Sequence, residues 1–300
     1  MYLISWTLVF CFLMYKPMTE ACPGHCSCVS GYFCDGTYVY CSGLTEVPNS
    51  IPKDTCDLNL SRNKITIVQD NAFNGLGNLS ILDLSSNEIT IVQDNAFNGL
   101  EILSMLLLYN NKLTTIQDNA FNGMPNLQKL SLYWNKITTI PDNAFRGMPN
   151  LQTLSLYNNE ITTIPDNAFS GMPNLQRLDM DRNKITVLDK RFFKDLPKLK
   201  RLAVEDNPLH CDCILAEFVS FAKSRNLKLK YNKEPRCSTP SNLTGVLLRN
   251  LSLEEMDCYL TTATTTALET SGRMIFSSFD LSAYPHRHPV IDKSLWTQLN

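Results

Sequence analysis

The sequence predicts an α/β repeat solenoid, in which short parallel strands stack into one curved sheet with a concave face. Two observations lead to this prediction. The segments LQKLSLYWNKITTIPDNAFRGMPN and LQTLSLYNNEITTIPDNAFSGMPN follow one another over residues 127–174 and are near-copies. Leucine, asparagine and phenylalanine also recur with a step of 24 residues on both sides of these copies. Self-similarity at a fixed period is the signature of stacked repeats.

The three recurring residues form ladders that share one period. They are Leu79, Leu103, Leu127, Leu151, Leu175 and Leu199; Asn63, Asn87, Asn111, Asn135, Asn159, Asn183 and Asn207; and Phe73, Phe97, Phe121, Phe145, Phe169 and Phe193. The sequence motif LxxLxLxxNxI resembles the leucine-rich repeat pattern, which implies one short strand and one return path per repeat over residues 57–206. We expect the repeats to stack, because one repeat cannot bury its leucines alone.

Each ladder has an expected place in the repeat. In LSLYWN, Leu130 and Leu132 point into the solenoid, because side chains alternate along a strand. The asparagine follows where the chain bends, and its buried amide can satisfy backbone groups that no regular ladder reaches. The phenylalanines fill the far side of each coil. Recurrence in every repeat favours these structural roles over a binding role.

Charge and cysteine content describe the environment of the chain. The 300 residues carry 27 basic and 29 acidic side chains, a balance that indicates no particular partner. An apolar run over residues 2–15, followed by Thr-Glu-Ala, predicts a signal peptide over residues 1–21, with an uncleaved anchor as the alternative. Removing it leaves ten of the eleven cysteines, all outside the regular repeats. An even cysteine number and a leader predict a secreted, extracellular protein with disulfide bonds.

Two cysteine-rich segments flank the repeats, at residues 22–56 and 207–260. A solenoid has open ends that expose core leucines, so terminal caps with a polar outer face are required. In the second segment, ILAEFVSFAKSRN predicts a cap helix with Ile214, Leu215, Phe218, Val219 and Ala222 on its apolar face. Zinc binding is the competing interpretation of the two Cys-x-Cys pairs. It is disfavoured because few histidines lie nearby, and we expect no metal or other cofactor.

The caps carry a family resemblance. CPGHCSC with VYCSGLTEVPNSIP, and NPLHCDC with two later cysteines, resemble the caps of extracellular leucine-rich repeat proteins. The arrangement is most similar to variable lymphocyte receptors, and a related innate recognition protein fits as well. The resemblance implies the pairs Cys211–Cys237 and Cys213–Cys258 in the C-terminal cap, with Cys22–Cys28 and Cys26–Cys41 in the N-terminal cap. It leaves Cys34 to pair with Cys56.

The last segment and the sequons complete the organisation. TTATTTALET opens a Thr-rich segment over residues 261–300, which we expect to be disordered, either as a flexible linker or as an O-glycosylated stalk. It holds no apolar run of membrane-spanning length. N-glycosylation sequons occur at Asn59, Asn78, Asn242 and Asn250, and Asn59 would place a glycan on the concave sheet of the first repeat.

The polar residues point to binding rather than to catalysis. No nucleophile, base and histidine come together in the repeats, and the aspartates of QDNAF and PDNAF fit turn chemistry better than a calcium loop. The two near-copies differ at Lys129/Thr153, Trp134/Asn158, Lys136/Glu160 and Arg146/Ser170, while all their other residues are identical. This is compatible with a fixed scaffold that presents variable residues, although surface drift would look similar.

The predicted ligand face lies on the outward positions of the strands. It comprises Tyr109, Lys129, Tyr133, Trp134, Tyr157, Arg177, Asp179, Asp181 and Arg182. The family resemblance implies a protein or glycan ligand, microbial surfaces included, and no nucleic acid. The alternative is a matrix or guidance protein that binds acidic glycosaminoglycan, or a cell-surface receptor, through basic residues of the C-terminal cap, which are Lys223, Arg225, Lys228, Lys230, Lys233 and Arg236. The oligomeric state stays open.

Overall fold

The computed structural model describes residues 21–30, 34–142, 144–229, 233–254, 256 and 258. The predicted Thr-rich tail lies outside the described residues, as does the predicted leader up to residue 20. Within these described residues the elements are short strands, three 3-10 turns and one α-helix. The strands are β1 (Cys26–Ser30), β2 (Thr37–Cys41), β3 (Thr55–Asn59), β4 (Ile67–Val68), β5 (Ile81–Asp83), β6 (Ile91–Val92), β7 (Met105–Leu107), β8 (Lys129–Ser131), β9 (Thr153–Ser155), β10 (Arg177–Asp179) and β11 (Arg201–Ala203).

One sheet runs through the repeats. Its strand order is β1-β2-β3-β5-β7-β8-β9-β10-β11, and every pair is parallel except β1 with β2. Equivalent leucines pair across neighbouring strands, as Leu106 does with Leu130 and Leu130 with Leu154. These leucines are fully buried. The predicted α/β repeat solenoid is therefore confirmed, with one short strand per repeat. β4 and β6 pair separately on the return path.

The asparagine ladder ties each repeat to its neighbours. Asn135 Nδ2, for example, donates to the carbonyl oxygens of Leu132, 3.0 Å away, and of Leu108 in the preceding repeat, also 3.0 Å away. Its Oδ1 accepts from the backbone N–H of Leu113 at 3.1 Å. All seven ladder asparagines are buried. The predicted role is confirmed, because the amide satisfies backbone groups at a bend where no strand partner is available.

The phenylalanine ladder forms the opposite wall of the core. Successive rings from Phe73 to Phe193 lie 5.8 to 6.3 Å apart between centroids and within 16° of parallel. The last ring continues into the C-terminal cap, where Phe218 lies 5.4 Å from Phe193. The stack confirms the predicted placement on the far side of the coil. It also shows how the cap helix joins the core.

The C-terminal cap is built on helix α1 (Cys213–Ser224). Asp212 caps its N-terminus by accepting from the N–H of Leu215 at 2.9 Å. The 3-10 turns are Lys190–Phe193, Ser241–Leu243 and Leu248–Asn250. The helix buries Leu215, Ala216, Phe218, Val219 and Ala222. The prediction that Ile214 belongs to this face was wrong, because the side chain is 43% exposed and Ala216 takes its place.

Disulfide bonds close both caps. In the N-terminal cap the structure joins Cys22 to Cys28, Cys26 to Cys41 and Cys34 to Cys56. In the C-terminal cap it joins Cys211 to Cys237 and Cys213 to Cys258. The Cys26–Cys41 bond links paired positions of β1 and β2, and Cys213 opens α1. The bonds therefore attach the terminal elements to the ends of the solenoid.

Candidate ligand-binding site on the concave face

A row of tyrosines lies just beyond the carboxyl ends of three successive strands. The rings of Tyr109 and Tyr133 stack with centroids 4.5 Å apart and planes within 5°. Tyr157 continues the row at 6.4 Å from Tyr133, tilted by 50°. The strands are shorter than the sequence suggests, because β8 ends at Ser131 and β9 at Ser155. The tyrosines therefore lie in extended backbone just after the strands, and Trp134 lies in the bend that follows.

Backbone hydrogen bonds between repeats extend past the strand ends and keep this row in register. The N–H of Asn110 donates to the carbonyl of Tyr133 at 2.9 Å, and the N–H of Trp134 donates to the carbonyl of Tyr157 at 3.0 Å. Leu132 is fully buried immediately before Tyr133. Because neighbouring side chains alternate in extended backbone, the tyrosine points to the concave side.

Trp134 occupies a backbone position that is unfavourable for a large side chain. Its φ is 55°, in the left-handed region, and the equivalent residues of the neighbouring repeats are Asn110 and Asn158. Asparagine tolerates this conformation better than bulky residues do. The indole is 49% exposed and meets the edge of Tyr133 with centroids 6.0 Å apart. Neither packing nor backbone preference therefore explains why a large, half-exposed side chain occupies this position.

The C-terminal end of the concave face holds a pocket of about 330 Å³. Its lining combines aromatic rings with charged groups of both signs and consists of Tyr133, Ser155, Tyr157, Arg177, Asp179, Asp181, Arg182, Glu205, Asp206 and Lys233. The Nε of Arg177 donates to both carboxylate oxygens of Asp179, at 2.8 and 2.9 Å. Arg182 lies over the ring of Tyr157, 5.5 Å from its centroid.

Three carboxylates of this pocket are buried, although they point away from the leucine core. Asp179 and Asp181 are each 7% exposed and Glu205 is 3% exposed. The pKa of Asp181 is raised to about 6, chiefly by burial and also by the nearby Glu205 and Asp179, while its own backbone N–H and Arg182 act in the opposite direction. Burial without a compensating cation disfavours the charged form.

The pocket includes residues that the sequence did not place there. Ser155 comes from β9, and Lys233 comes from the cap. We predicted Lys233 as part of a basic cap surface, but its N–H donates to Glu205 Oε1 at 3.0 Å and its Nζ lies 3.5 Å from Asp206 Oδ2. This approach joins positions 28 residues apart, and no repeat pattern indicates it. Three predicted ligand residues, Tyr109, Lys129 and Trp134, lie outside the pocket lining.

The remaining basic residues of the cap separate into two groups. Lys223 and Lys228 line a second pocket of about 700 Å³ with Arg201 and Arg249, which the sequence analysis did not include. Two arginines bind backbone carbonyls instead. Arg225 donates to the carbonyl of Leu196 at 3.4 Å, and Arg236 donates to the carbonyl of Gly245 at 2.7 Å. Lys230 lies outside the described residues.

The predicted glycosylation sites differ in environment. Asn78, Asn242 and Asn250 are exposed. Asn59 ends β3 and is partly buried, and its Oδ1 accepts from the N–H and hydroxyl of Ser61 at 3.0 and 2.7 Å. In the part of the chain that the structure describes, no cluster of three or more His, Cys, Asp or Glu side chains could hold a metal ion. No helix among the described residues is long and apolar enough to span a membrane.

Comparisons with known proteins agree with this geometry. A family model described as BspA type Leucine rich repeat region matches six copies over residues 66–200. The fold is a leucine-rich repeat solenoid with disulfide-bonded caps. Among curated relatives, biglycan of Xenopus laevis is 41% identical over 68 residues, which cover 22% of this chain and 17% of biglycan. The matched segment is thus about a sixth of that relative.

Solved structures support the same fold. A structure of human 5T4, described as a Wnt-activated inhibitory factor and trophoblast glycoprotein, matches with a TM-score of 0.55, covering 81% of this chain and 100% of 5T4. At 23% identity it supports the fold alone. TLR13, solved in complex with ssRNA13, matches at 35% identity and a TM-score of 0.51 over 53% of this chain and 22% of TLR13. The finer similarity to variable lymphocyte receptors stays a prediction.

Proposed function

We propose that this protein is a secreted recognition module that binds a protein or glycan ligand on the concave face of the solenoid. The observation that carries the proposal is an aromatic row next to a charged pocket, in which Tyr109, Tyr133 and Tyr157 are half-buried and Trp134 is exposed. Large exposed aromatic groups mark interaction sites, and tyrosine, tryptophan and arginine dominate binding hot spots. Immune-type recognition, microbial surfaces included, follows from the cap resemblance and is part of the proposal.

A structural role for the tyrosines is the alternative explanation. Stacking between Tyr109 and Tyr133 at 4.5 Å fits a cross-strand contact that stabilises the sheet by roughly 0.2–1 kcal/mol. Trp134 argues against this as the whole explanation. It is half exposed in a left-handed position, where asparagine occurs in both neighbouring repeats, so sheet stability alone does not favour tryptophan there.

The test begins with a screen of the purified protein against microbial surfaces, sulfated glycans and cell-surface proteins. Changing Tyr133 and Trp134 together to alanine should weaken binding of the selected ligand by at least about 2 kcal/mol, as expected for a central aromatic hot spot. The matched control is Gln117→Ala, an exposed residue on the return path, which should leave binding unchanged. Intact binding by the folded double variant would refute the concave-face proposal.

Secretion and the absence of catalysis belong to the same proposal. The predicted leader, the five cap disulfides and the four sequons support an extracellular location. A chain beginning near Cys22 should be recovered from the culture medium. Retention of the leader in carbonate-washed membranes would contradict this. A nucleic-acid ligand is disfavoured at the concave pocket, because four carboxylates face three cations there and phosphate backbones need a basic surface.

The second candidate function is binding of acidic glycosaminoglycan, or of a receptor, through the C-terminal cap. The pocket formed by Arg201, Lys223, Lys228 and Arg249 supports this role, although Glu234 lies 3.2 Å from Arg249 and neutralises part of its charge. Heparin affinity that falls steeply with salt, and that is lost when Lys223 and Lys228 become alanine, would favour the cap. Binding to the aromatic row should depend much less on salt.

A further inference from the structure

The concave pocket contains a buried carboxylate, Asp181, that makes no ion pair with any described residue. Asp181 lines the pocket and is 7% exposed. Its own backbone N–H reaches the carboxylate, and no side chain in the described ranges donates a hydrogen bond to it. Burying a charge is unfavourable unless a partner compensates it. The negative charge of Asp181 is therefore not compensated by an ion pair among the described residues.

The cations around the pocket are engaged elsewhere. Arg177 binds Asp179 through its Nε. Arg182 lies over the ring of Tyr157 and 3.5 Å from Asp206. Lys233 also contacts Asp206 at 3.5 Å and donates its backbone N–H to Glu205. The described lining holds three cations and four carboxylates, and Asp181 makes no ion pair among the described residues.

The walls of the pocket suit an organic cation. Tyr133 and Tyr157 line one side, with their centroids 6.4 Å apart. Aromatic faces attract ammonium and guanidinium groups, and Arg182 already uses the Tyr157 ring in this way. A volume of about 330 Å³ admits the end of one side chain and is open to solvent. The carboxylate and the neighbouring tyrosines thus complement one basic group in both charge and shape.

We propose that this pocket receives a lysine or arginine side chain of a protein ligand, with Asp181 as the ion-pair partner and Tyr133 and Tyr157 as the aromatic walls. The proposal rests on the proposed concave-face function and specifies which ligand class it binds. A bare metal ion is a poorer occupant, because the carboxylates already accept from Arg177 and Lys233 and the remaining wall is aromatic. A phosphate or sulfate group is disfavoured, because the described lining holds more carboxylates than cations.

The test uses small probes, so it does not require the natural ligand. N-acetyl-arginine amide and N-acetyl-lysine amide are titrated into the purified secreted protein, and resonances of Tyr133 and Tyr157 are followed by NMR. Saturable binding in the millimolar range is expected, as for an isolated hot-spot side chain. N-acetyl-citrulline amide, which has the shape of arginine without its charge, should bind at least about fivefold more weakly.

Two variants complete the experiment. Asp181→Asn should weaken arginine-probe binding by at least about fivefold. Asp57→Asn is the matched control, because Asp57 is another carboxylate on the same sheet whose pKa is raised by burial and by Asp83, outside the pocket. It should leave binding unchanged. Equal binding of citrulline, or of glucosamine, would overturn the assignment to a basic protein side chain, and so would unchanged binding to Asp181→Asn or no saturable binding at all.

Failure of this subsite proposal can be distinguished from failure of the proposed concave-face function. If the arginine probe fails while Tyr133 and Trp134 still prove essential for a ligand from the screen, only the basic-side-chain subsite is refuted. If the probe binds as expected while a screened ligand ignores the aromatic row, the concave-face function is refuted for that ligand and the subsite stands.

Discussion

Replacing Asp181 by asparagine should stabilise the unliganded protein at neutral pH. Burial, with Glu205 and Asp179 nearby, raises the pKa of Asp181 from 3.8 to about 6. A difference of one in pKa corresponds to about 1.4 kcal/mol, which sets an upper limit of about 3 kcal/mol on the cost of ionised Asp181. The pocket is open to solvent, so screening reduces the expected gain in unfolding free energy to about 1–2 kcal/mol.

The pH dependence of this effect has a defined sign. Above pH 6 the carboxyl is ionised in both the folded and the unfolded state, and the folded state carries the full penalty. As the pH falls from about 6 toward 3.8, the folded protein takes up a proton before the unfolded chain does, so the wild type gains stability. The advantage of Asp181→Asn should therefore be present at neutral pH and lost below the unfolded pKa.

Thermal unfolding followed by circular dichroism, with disulfides intact, measures this difference at neutral pH and near pH 4. Asp118→Asn, at an exposed position on the return path, serves as the control and should change the melting temperature little at neutral pH. The reasoning fails if Asp181→Asn lowers stability at neutral pH, or if its stabilisation persists undiminished near pH 4. The first result would mean that the carboxylate already has a compensating partner, and the second that ionisation of Asp181 is not the source of the gain.

Three further predictions concern the scaffold. Asn135→Ala should cost about 3–5 kcal/mol in denaturant unfolding, because it leaves buried backbone groups of two repeats without partners, whereas Asn74→Ala, at an exposed position, should stay within about 0.5 kcal/mol; similar costs for both would contradict the ladder's role. Asp212→Ala should lower stability by about 1 kcal/mol through loss of the cap of α1, and an unchanged melting temperature would refute that. Non-reducing peptide mapping should recover a Cys34–Cys56 peptide, and free thiols at both positions would exclude this bond.

The repeat architecture could be predicted in detail because the information is local and repeated. Alternation along the strand determines that Leu130 faces the core and Tyr133 the concave side, and the step of 24 residues places equivalent side chains next to one another. The asparagine and phenylalanine ladders follow from the same period. The cap helix was also predicted, and its one error, Ile214, lies at the first turn, where helical spacing alone does not determine which side faces the last repeat.

The candidate site was predicted only in outline. The tyrosine row followed from the period, but its uneven spacing did not: Tyr157 is tilted from Tyr133 and carries Arg182 over its ring, where the two preceding repeats have Trp134 and Asn158 in place of the arginine. The left-handed backbone at Trp134 is invisible to strand periodicity, because it arises at the bend after a strand that proved only three residues long. The sequence therefore indicated which surface carries the candidate site, but it did not predict the backbone conformation of the turns there.

By itself the sequence determined the solenoid, its inward and outward residues and the two cysteine-rich ends, because each depends on contacts between a repeat and its nearest neighbour. Only the tertiary structure revealed the acidic pocket. It forms where the cap brings Lys233 against Glu205, 28 residues away, and where packing of adjacent repeats buries Asp179 and Asp181. Burial and charge compensation depend on which residues lie close together in three dimensions. Where the repeats end and the cap begins, the repeat period no longer predicts which residues these are.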